Sequence, residues 1–311
     1  MIFIDNGGTT DAALNLALEE QLSKTLDANQ SYFLMYQNSP SVVLGRNQNF
    51  YEEVDFWFAR KHQIKTQRRI SGGGAVYHDE GNLNYSFLQP HNTSLIGNWK
   101  EIADPVIHAL NEKGVPAKLN YRNDILVEGK KISGTAQRAG RNLMISHGAL
   151  LFDGDLDRLF TVLNPERGEV SSQSLKSFRS KVTNIKSYLP KGWKIADLRA
   201  YLRQSIAPKD TYIPTTEDWT AAQKLVEEKY QTWDWVFGRS PKFSISRELI
   251  WEGEKVRMEL EIDKGGCISS VSFSSPLSFW NKLATDLSGQ MYRYETLRTY
   301  ISDQRILEFV Y

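Results

Sequence analysis

Two stretches of the chain carry residue types whose spacing suits chemistry on anions. The first is Arg68-Arg69-Ile70-Ser71-Gly72-Gly73-Gly74-Ala75-Val76-Tyr77-His78-Asp79-Glu80-Gly81-Asn82. Glycine has no Cβ, so it reaches positive φ and lets another molecule approach the backbone. Successive N–H groups in such a turn form a concave anion nest, and arginines beside it match phosphate or carboxylate. The stretch reads as an anion-binding loop; the plainer reading is a hairpin connection or bulge. The second stretch is Asn123-Asp124 together with Lys130-Lys131-Ile132-Ser133-Gly134-Thr135-Ala136. A lysine at the base of a strand beside Ser-Gly-Thr can place its ammonium in a cleft floored by small residues. There it can contact a carboxylate and a phosphate together. Asp124, at the start of the facing strand, can hold a divalent cation on phosphate oxygens. The plainer readings are a solvated hairpin lysine, as for Lys130, and a strand-end cap.

The glycine block is not one of the common phosphate loops. A Walker A loop needs Gly-Lys-Ser/Thr opening a helix, and that tripeptide is absent. Starting the dinucleotide pattern at Gly72 puts Tyr77 where its last glycine belongs. The residues after the glycines do not read as a helix either. Ala75 to His78 is short and β-prone, Glu80-Gly81-Asn82 reads as a turn, and Leu83, Tyr85 and Phe87 alternate with polar residues. The loop is therefore expected to join strands.

These stretches need a scaffold, and the 311 residues are enough for a large core and more than one domain. Hydrophobic residues at 41% and charged ones at 24% are those of an ordinary globular protein. A net charge of +1 gives no basic field for nucleic acid or an anionic membrane. The single cysteine, Cys267, excludes an intrachain disulfide and a cysteine-based zinc cluster. No apolar run is long enough for a membrane span, and Met1 to Asp5 lacks a basic region followed by a long apolar one. A cytoplasmic protein is expected.

Along the chain, Thr10 is the expected cap of a helix whose buried face carries Leu14, Leu18, Leu22 and Leu26. Tyr32 to Tyr36 and Val42 to Leu44 read as strands. Gly45-Arg46-Asn47-Gln48-Asn49 after them is a solvated loop or a binding rim. A short helix is expected around Asp55–His62. Asn98 would cap a helix through Ile102, Val106 and Leu110, closed by Gly114. Strands are expected at Ile125–Val127, Ile132–Ala136 and Leu143–Phe152, the last interrupted at Ser146-His147-Gly148. Leu156 to Leu163 reads as a helix. Residues 165–186 form a long polar segment, the usual signature of a functional cover. Helices are expected next at Ile195–Leu202 and Trp219–Tyr230. After a turn-rich boundary at Gly238–Pro241 come strands at Val256–Ile262 and Cys267–Phe273. Helices around Phe279–Leu287 and Tyr294–Tyr300 complete the tail.

Taken together, the motifs resemble those of the lipoate–protein ligase A family. The Arg68–Asn82 block, Gly45-Arg46-Asn47-Gln48-Asn49, Lys131-Ile132-Ser133-Gly134 and Lys176-Ser177-Phe178-Arg179-Ser180-Lys181-Val182-Thr183-Asn184-Ile185 occur in that family's order. The tail after Ser240 resembles the small accessory domain of its longer bacterial members. Phe178 and Lys181 depart from the pattern at positions that tolerate change.

The resemblance implies an α+β chain: a large mixed α/β catalytic domain, 1–240, with a biotin/lipoate ligase-like sheet and flanking helices. A small α+β C-terminal domain, 241–311, would come after it. It implies ATP-dependent formation of lipoyl-AMP, then transfer to a lysine of an acceptor. The acceptors would be lipoyl domains of 2-oxoacid dehydrogenase E2 subunits or the glycine cleavage H protein. By the family pattern Lys131 is catalytic and bridges the acyl carbonyl and α-phosphate. Arg69, Gly74, Ala75, Val76, Tyr77 and Lys131 would hold ATP. Lys131, Arg69, Ser71, Gly72, Gly73, His78 and His147 would line the lipoate site. Asp124 would carry Mg²⁺, with Asn123 on the rim, and residues 165–186 would cover the adenylate against water.

Three other readings share parts of this pattern. An acyltransferase without the adenylation step is the first. In its thioester-forming version it needs a cysteine near the glycine block, and Cys267 is far along the chain. A cysteine-free version using preformed lipoyl-AMP is separated by its lack of pyrophosphate–ATP exchange. A biotin–protein ligase shares the reaction type but has a different arginine- and glycine-rich loop. A non-enzymatic binding protein would not need Lys131 and Asp124 together.

Overall fold

A computed structural model describes residues 1–165, 169–178 and 180–311. Arg179 of the covering segment lies outside the described residues, as do 166–168. The strands are β1 (Ile2–Ile4), β2 (Tyr32–Tyr36), β3 (Ser41–Leu44), β4 (Lys65–Arg68), β5 (Val76–His78) and β6 (Asn82–Pro90). Then come β7 (Ala117–Leu119), β8 (Asp124–Val127), β9 (Lys130–Arg138), β10 (Leu143–Leu151), β11 (Glu169–Ser172) and β12 (Asp210–Tyr212). The last three are β13 (Phe243–Trp251), β14 (Glu254–Ile262) and β15 (Ile268–Phe273).

An eight-stranded mixed sheet runs β12-β1-β2-β6-β10-β9-β8-β7. Period-two alternation sorts its faces. Phe33, Tyr85 and Phe87 pack against α4 (Trp99–Glu112) and α6 (Ile195–Ile206). Leu34, Tyr36 and Ile145 face α1 (Ala12–Thr25) and α7 (Thr216–Leu225). The cap of α1 is Asp11, one residue later than expected, because its carboxylate accepts from Leu14 N–H at 3.0 Å. Asn98 caps α4 as expected, and Gly114 comes after it at φ +86°.

The expected break at Ser146-His147-Gly148 is absent: β10 runs unbroken with partners on both sides. Tyr85 stands opposite Gly148, and a Cβ there would lie 2.4 Å from its hydroxyl. The glycine thus admits an aromatic side chain whose OH reaches Ser133 on β9 at 3.1 Å.

A three-stranded sheet, β4-β3-β5, carries the glycine loop. β4 runs parallel to β3 and β5 antiparallel, so the loop crosses over the end of β3. Gly45 sits under that crossing, where a Cβ would lie 1.9 Å from Gly73 O. The loop does join strands, and of its three glycines Gly73 takes the left-handed conformation, at φ +91°.

The third sheet, β11-β13-β14-β15, is antiparallel. It is covered by α9 (Ser278–Leu287), α10 (Tyr294–Tyr300) and α11 (Gln304–Val310). β13 and α11 were not anticipated. Nor was β11, so the polar 165–186 segment is not structureless. The short helices α2 (Phe50–Glu53) and α3 (Phe56–Lys61) come after β3, and α5 (Leu156–Val162) and α8 (Trp233–Val236) complete the set. Tyr51 of α2 stacks on Phe243 and donates to Tyr292 O, so the third sheet and α2 share one core. Among the described residues no helix is long and apolar enough to cross a membrane.

Candidate active site

Lys131 reaches the site through a bulge. The β8–β9 register steps from Ile125↔Ser133 to Leu126↔Lys131, leaving Ile132 extra. In a regular strand Lys131 and Gly134 would lie on opposite faces; one added residue puts them on the same face. Lys131 Nζ then meets Asp124 Oδ1 at 2.7 Å, and Asp124 stands directly opposite Gly134 on the ladder. Any Cβ at Gly134 would be 2.7 Å from that Nζ, so the small-residue floor read from the sequence is required. Behind the lysine, residues 181–183 form a further bridge. Lys131 N–H donates to Lys181 O at 2.7 Å, and Thr183 N–H to Lys131 O at 3.0 Å.

The two arginines before the glycines hold the loop from below. Arg68 is fully buried and donates to the carbonyls of Gly45, Gln48 and Val236. Burial pulls its guanidinium down to about 9, which leaves it charged near neutral pH. Arg69 donates to Val43 O, Gly72 O, Gly74 O and Ser71 Oγ, and burial lowers it to about 10. Its donors thus set the shape of the loop, while its side chain still borders the cavity. Ser71 Oγ lies 2.6 Å from His147 Nε2, and His147 Nδ1–H donates to the Glu19 carboxylate at 3.0 Å. Ser71 is buried and also accepts from Arg69, so this Ser-His-Glu row supports the loop and does not present an exposed nucleophile.

Gly45–Asn49 is only partly solvated: Asn47 is exposed, whereas Gln48 and Asn49 are buried. Gln48 Nε2 donates to Ser177 Oγ at 3.0 Å, as does Ala75 N–H at 2.8 Å. Ser177 N–H in turn donates to Glu53 Oε1 at 2.9 Å. The covering segment therefore lies on the glycine loop at Ser177. Upstream, Ser172 and Ser174 donate to the Glu52 carboxylate, and β11 pairs with β13. Downstream, exposed Phe178 stacks under Arg122, whose guanidinium carbon is 3.7 Å from the ring centroid.

These groups enclose a cavity of about 400 Å³. Gly73, Gly74, Ala75, Val76, His78, Asn123, Asp124, Lys131 and His147 all line it, as does Arg69. Of the other expected residues, Ser71 and Gly72 contribute from behind, through their bonds to His147 and Arg69. Tyr77 lines an adjoining, more apolar cavity of about 260 Å³. The two cavities share Ala75, Val76, Lys131, Gly134, Ala149, Ser177 and Phe178. Lys131 stands where they meet. His147 is two residues along β10 from Ala149, the partner of Gly134, so the first cavity extends at least ~7 Å from the lysine along the strands. Sequence reading missed Glu19, Tyr36, Asn84, Arg122 and Ser177. Glu19 sits beside a leucine stripe with no sign of its partner, and Ser177 belongs to a motif that shows no contact to assign.

The arrangement has a definite chemical use. An ammonium at the junction of two cavities, one edged by a glycine loop, can draw two anionic reactants together and stabilise charge as they react. No group of three or more His, Cys, Asp or Glu side chains converges among the described residues. Magnesium commonly takes one or two carboxylates plus substrate phosphates. Asp124 therefore fits an ion carried in on a nucleotide and not one held by the protein alone.

Fold and site together suit an enzyme that acts on anionic reactants. A family model described as the lipoyl protein ligase A/B catalytic domain matches residues 11–207. The chain is 40% identical over 271 residues to lipoate–protein ligase LplJ of Bacillus subtilis, covering 85% of this chain and 82% of that one. Structures of a putative lipoate protein ligase from Thermoplasma acidophilum are 25% identical and cover 76% of this chain. One has bound lipoic acid (TM-score 0.65, 98% of that chain). Another is described as a bi-partite ligase and its E2 lipoyl domain (TM-score 0.66, 96% of that chain). A lipoate–protein ligase A bound with ATP is 25% identical, TM-score 0.64, over 77% of this chain and 98% of that one. The chain belongs to the lipoate–protein ligase family.

Proposed function

We propose that the chain activates lipoate with ATP and transfers the lipoyl group to a lysine on an acceptor lipoyl domain. The observation that carries this reading is Lys131, which lines both the larger cavity and a second, more apolar one. The first cavity takes the acyl chain, its tail toward His147, Tyr36 and His78. The second takes the nucleotide, along Ala75, Val76 and Tyr77. The acyl carboxylate oxygen attacks the α-phosphorus, a new P–O bond forms, and pyrophosphate leaves with the electrons of the broken anhydride bond. The acceptor amine, having lost its proton, then attacks the acyl carbonyl and AMP leaves.

Lys131 Nζ neutralises the carboxylate and α-phosphate in the first step and the acyl oxygen in the second. Mg²⁺ would arrive with the triphosphate, with Asp124 as its protein carboxylate; that ion supplies charge neutralisation when bound. Arg69 acts by holding the glycine loop that contacts the nucleotide. Residues 169–178 and 180–186 cover the adenylate through Ser177 and Phe178, limiting hydrolysis. E2 lipoyl domains and the glycine cleavage H protein are the proposed acceptors, the cytoplasm the proposed location. Residues 1–240 and 241–311 are the proposed units, with β11 reaching from the first into the sheet of the second. A thioester route is disfavoured because Cys267, whose Sγ lies beside Gly289 O in the turn after β14, lines neither cavity.

The test is direct: purified protein, MgATP, lipoate and an apo lipoyl domain, with the acceptor weighed by mass spectrometry. A mass gain of one lipoyl group that needs both ATP and lipoate supports the reading. A gain with biotin in place of lipoate, or no acid-dependent modification at all, would reject it.

A further inference from the structure

At the cavity end away from Lys131, the proton on one ring nitrogen can be assigned from the hydrogen bonds around it. Backbone groups fix the amide of Asn6: Nδ2 donates to Thr9 O at 3.1 Å, and Oδ1 accepts from Gly8 N–H at 3.3 Å. Arg199 Nη2 donates to the same Oδ1 at 3.2 Å. Backbone carbonyls likewise fix Asn15, whose Nδ2 donates to Thr9 O at 3.1 Å and Gln37 O at 3.3 Å. Its Oδ1 accepts from Asn6 Nδ2 at 3.0 Å, and its Nδ2 donates to Asn38 Oδ1 at 2.9 Å. Asn38 must then turn Nδ2 toward His78 Nδ1, at 3.0 Å. An amide nitrogen only donates, so His78 Nδ1 accepts and the neutral ring carries its proton on Nε2.

That Nε2–H is buried, with His78 5% exposed, and has no partner among the described residues, although His78 lines the larger cavity. The amide of Asn84 faces the same cavity, with no backbone group to fix which way it turns. Its Oδ1 accepts from Asn82 Nδ2 at 3.2 Å, while its own Nδ2 is buried, unpaired among the described residues and on the cavity wall. Asn84 stands between Tyr36 on β2 and Ala149 on β10, in the cross-strand row that leads to Gly134. An unpaired buried donor disfavours whatever state leaves it unpaired.

We propose that Asn6, Asn15 and Asn38 are positioning residues that lock His78 as an Nε2–H donor. That donor reads the acyl tail, favouring a sulfur-bearing tail over a plain hydrocarbon one. The assignment rests on the reading of the larger cavity as the acyl site. A dithiolane sulfur is a weak acceptor, so the discrimination is moderate, whereas a methylene tail leaves the His78 donor unpaired. The neutral ring agrees with its surroundings: burial first, then Arg69 and His147, pull His78 down to about 3.

Nitrogen-15 NMR of the wild-type imidazoles, with His78→Gln to assign the signal, reads the tautomer without any turnover. His78 is expected to be protonated at Nε2, and the Nε2–H signal to move with lipoate but not with octanoate. A proton on Nδ1, or equal responses to the two acids, would overturn the proposal. Asn38→Asp places an acceptor where the donor was, so the proton should switch to Nδ1. In pyrophosphate–ATP exchange the lipoate-to-octanoate ratio of kcat/KM should then fall about five- to tenfold, through the KM for lipoate. Equal losses for both acids would assign Asn38 a merely structural role and reject the idea. Should that variant fail to fold, the wild-type spectra decide. Absence of exchange with both acids in the wild type would sink the ligase reading, while the tautomer measurement would still judge this assignment.

Discussion

The two ends of the larger cavity are held in different ways. At one end Arg69, Ser71, His147 and Glu19 form a closed chain of buried hydrogen bonds, each member at 7% to 1% exposure. At the other, Lys131 has a 25% exposed side chain and an ion pair with Asp124, beneath exposed Arg122 and Phe178. A buried network with every donor matched is rigid and costly to break. A partly exposed ion pair is held weakly and can exchange partners. On the proposed reading the difference divides stability from turnover: matched hydrogen bonds hold the tail end, and the lysine end offers a single charge pair to the reactants.

Replacing the lysine should show the largest effect. Lys131→Ala is expected to lower adenylate formation on the order of 10²–10³-fold, comparable to losing one oxyanion donor. Its unfolding free energy should change by less than about 1 kcal/mol. A rate loss below about threefold would remove Lys131 from the chemistry. Arg69→Met should do the reverse. It leaves three backbone carbonyls and Ser71 Oγ without their donor, at about 3 kcal/mol in denaturant unfolding. An Arg69→Met variant as stable as the wild type would erase the proposed contrast.

Smaller changes sharpen it. Gly134→Ala puts a methyl where Lys131 Nζ lies. The clash falls on the far end of a long side chain, so the fold should survive while kcat/KM falls tenfold or more, roughly 1.4 kcal/mol, as expected for a misplaced charge. Unchanged kinetics would mean the ammonium need not sit on that floor. Acid should then act through the rigid end. His78 stays neutral in the native state down to about 3, against 6.5 for the free side chain. As pH falls below about 6.5, the unfolded chain binds a proton the native one does not, so stability drops by about 1.4 kcal/mol per pH unit. Between pH 6.5 and 4.5 this slope should be present in chemical denaturation and missing in His78→Gln. Equal slopes would show that His78 is protonated without unfolding. The smallest effect belongs to the cover: Arg122→Ala removes the cation–π contact to Phe178, about 0.5–1 kcal/mol, along with a longer one to Tyr121, and should raise the KM for ATP or lipoate two- to fivefold. No change in either KM would place Arg122 outside the working cover.

What could be read from the residues obeys the same division. Local signals located the glycine block as a connection between strands, the paired strands bearing Asp124 and Lys131, and the Asn98 cap, because each depends on neighbours in sequence. The bulge at Ile132 left no trace: Lys-Ile-Ser-Gly reads equally well as a regular strand, and only the β8 register exposes the extra residue. Glu19 pairs with a histidine 128 positions away, so nothing near it in the sequence marks it as buried. β11 is polar and joins a sheet whose other strands come much later, so its own residues carry no strand signal. β13 is different: Phe243, Ile245, Leu249 and Trp251 do alternate, and that signal was present but unread. Apart from β13, the features that sequence reasoning does not reach are those that depend on distant partners.

The central claim is that Lys131 brings a carboxylate and an α-phosphate together between the two cavities. Isotope exchange between pyrophosphate and ATP, measured with the purified wild-type chain and Mg²⁺ with and without lipoate, tests it most directly. The account predicts exchange that depends on lipoate and that falls on the order of 10²–10³-fold in Lys131→Ala. Exchange without lipoate, no exchange with it, or full exchange by Lys131→Ala would contradict it.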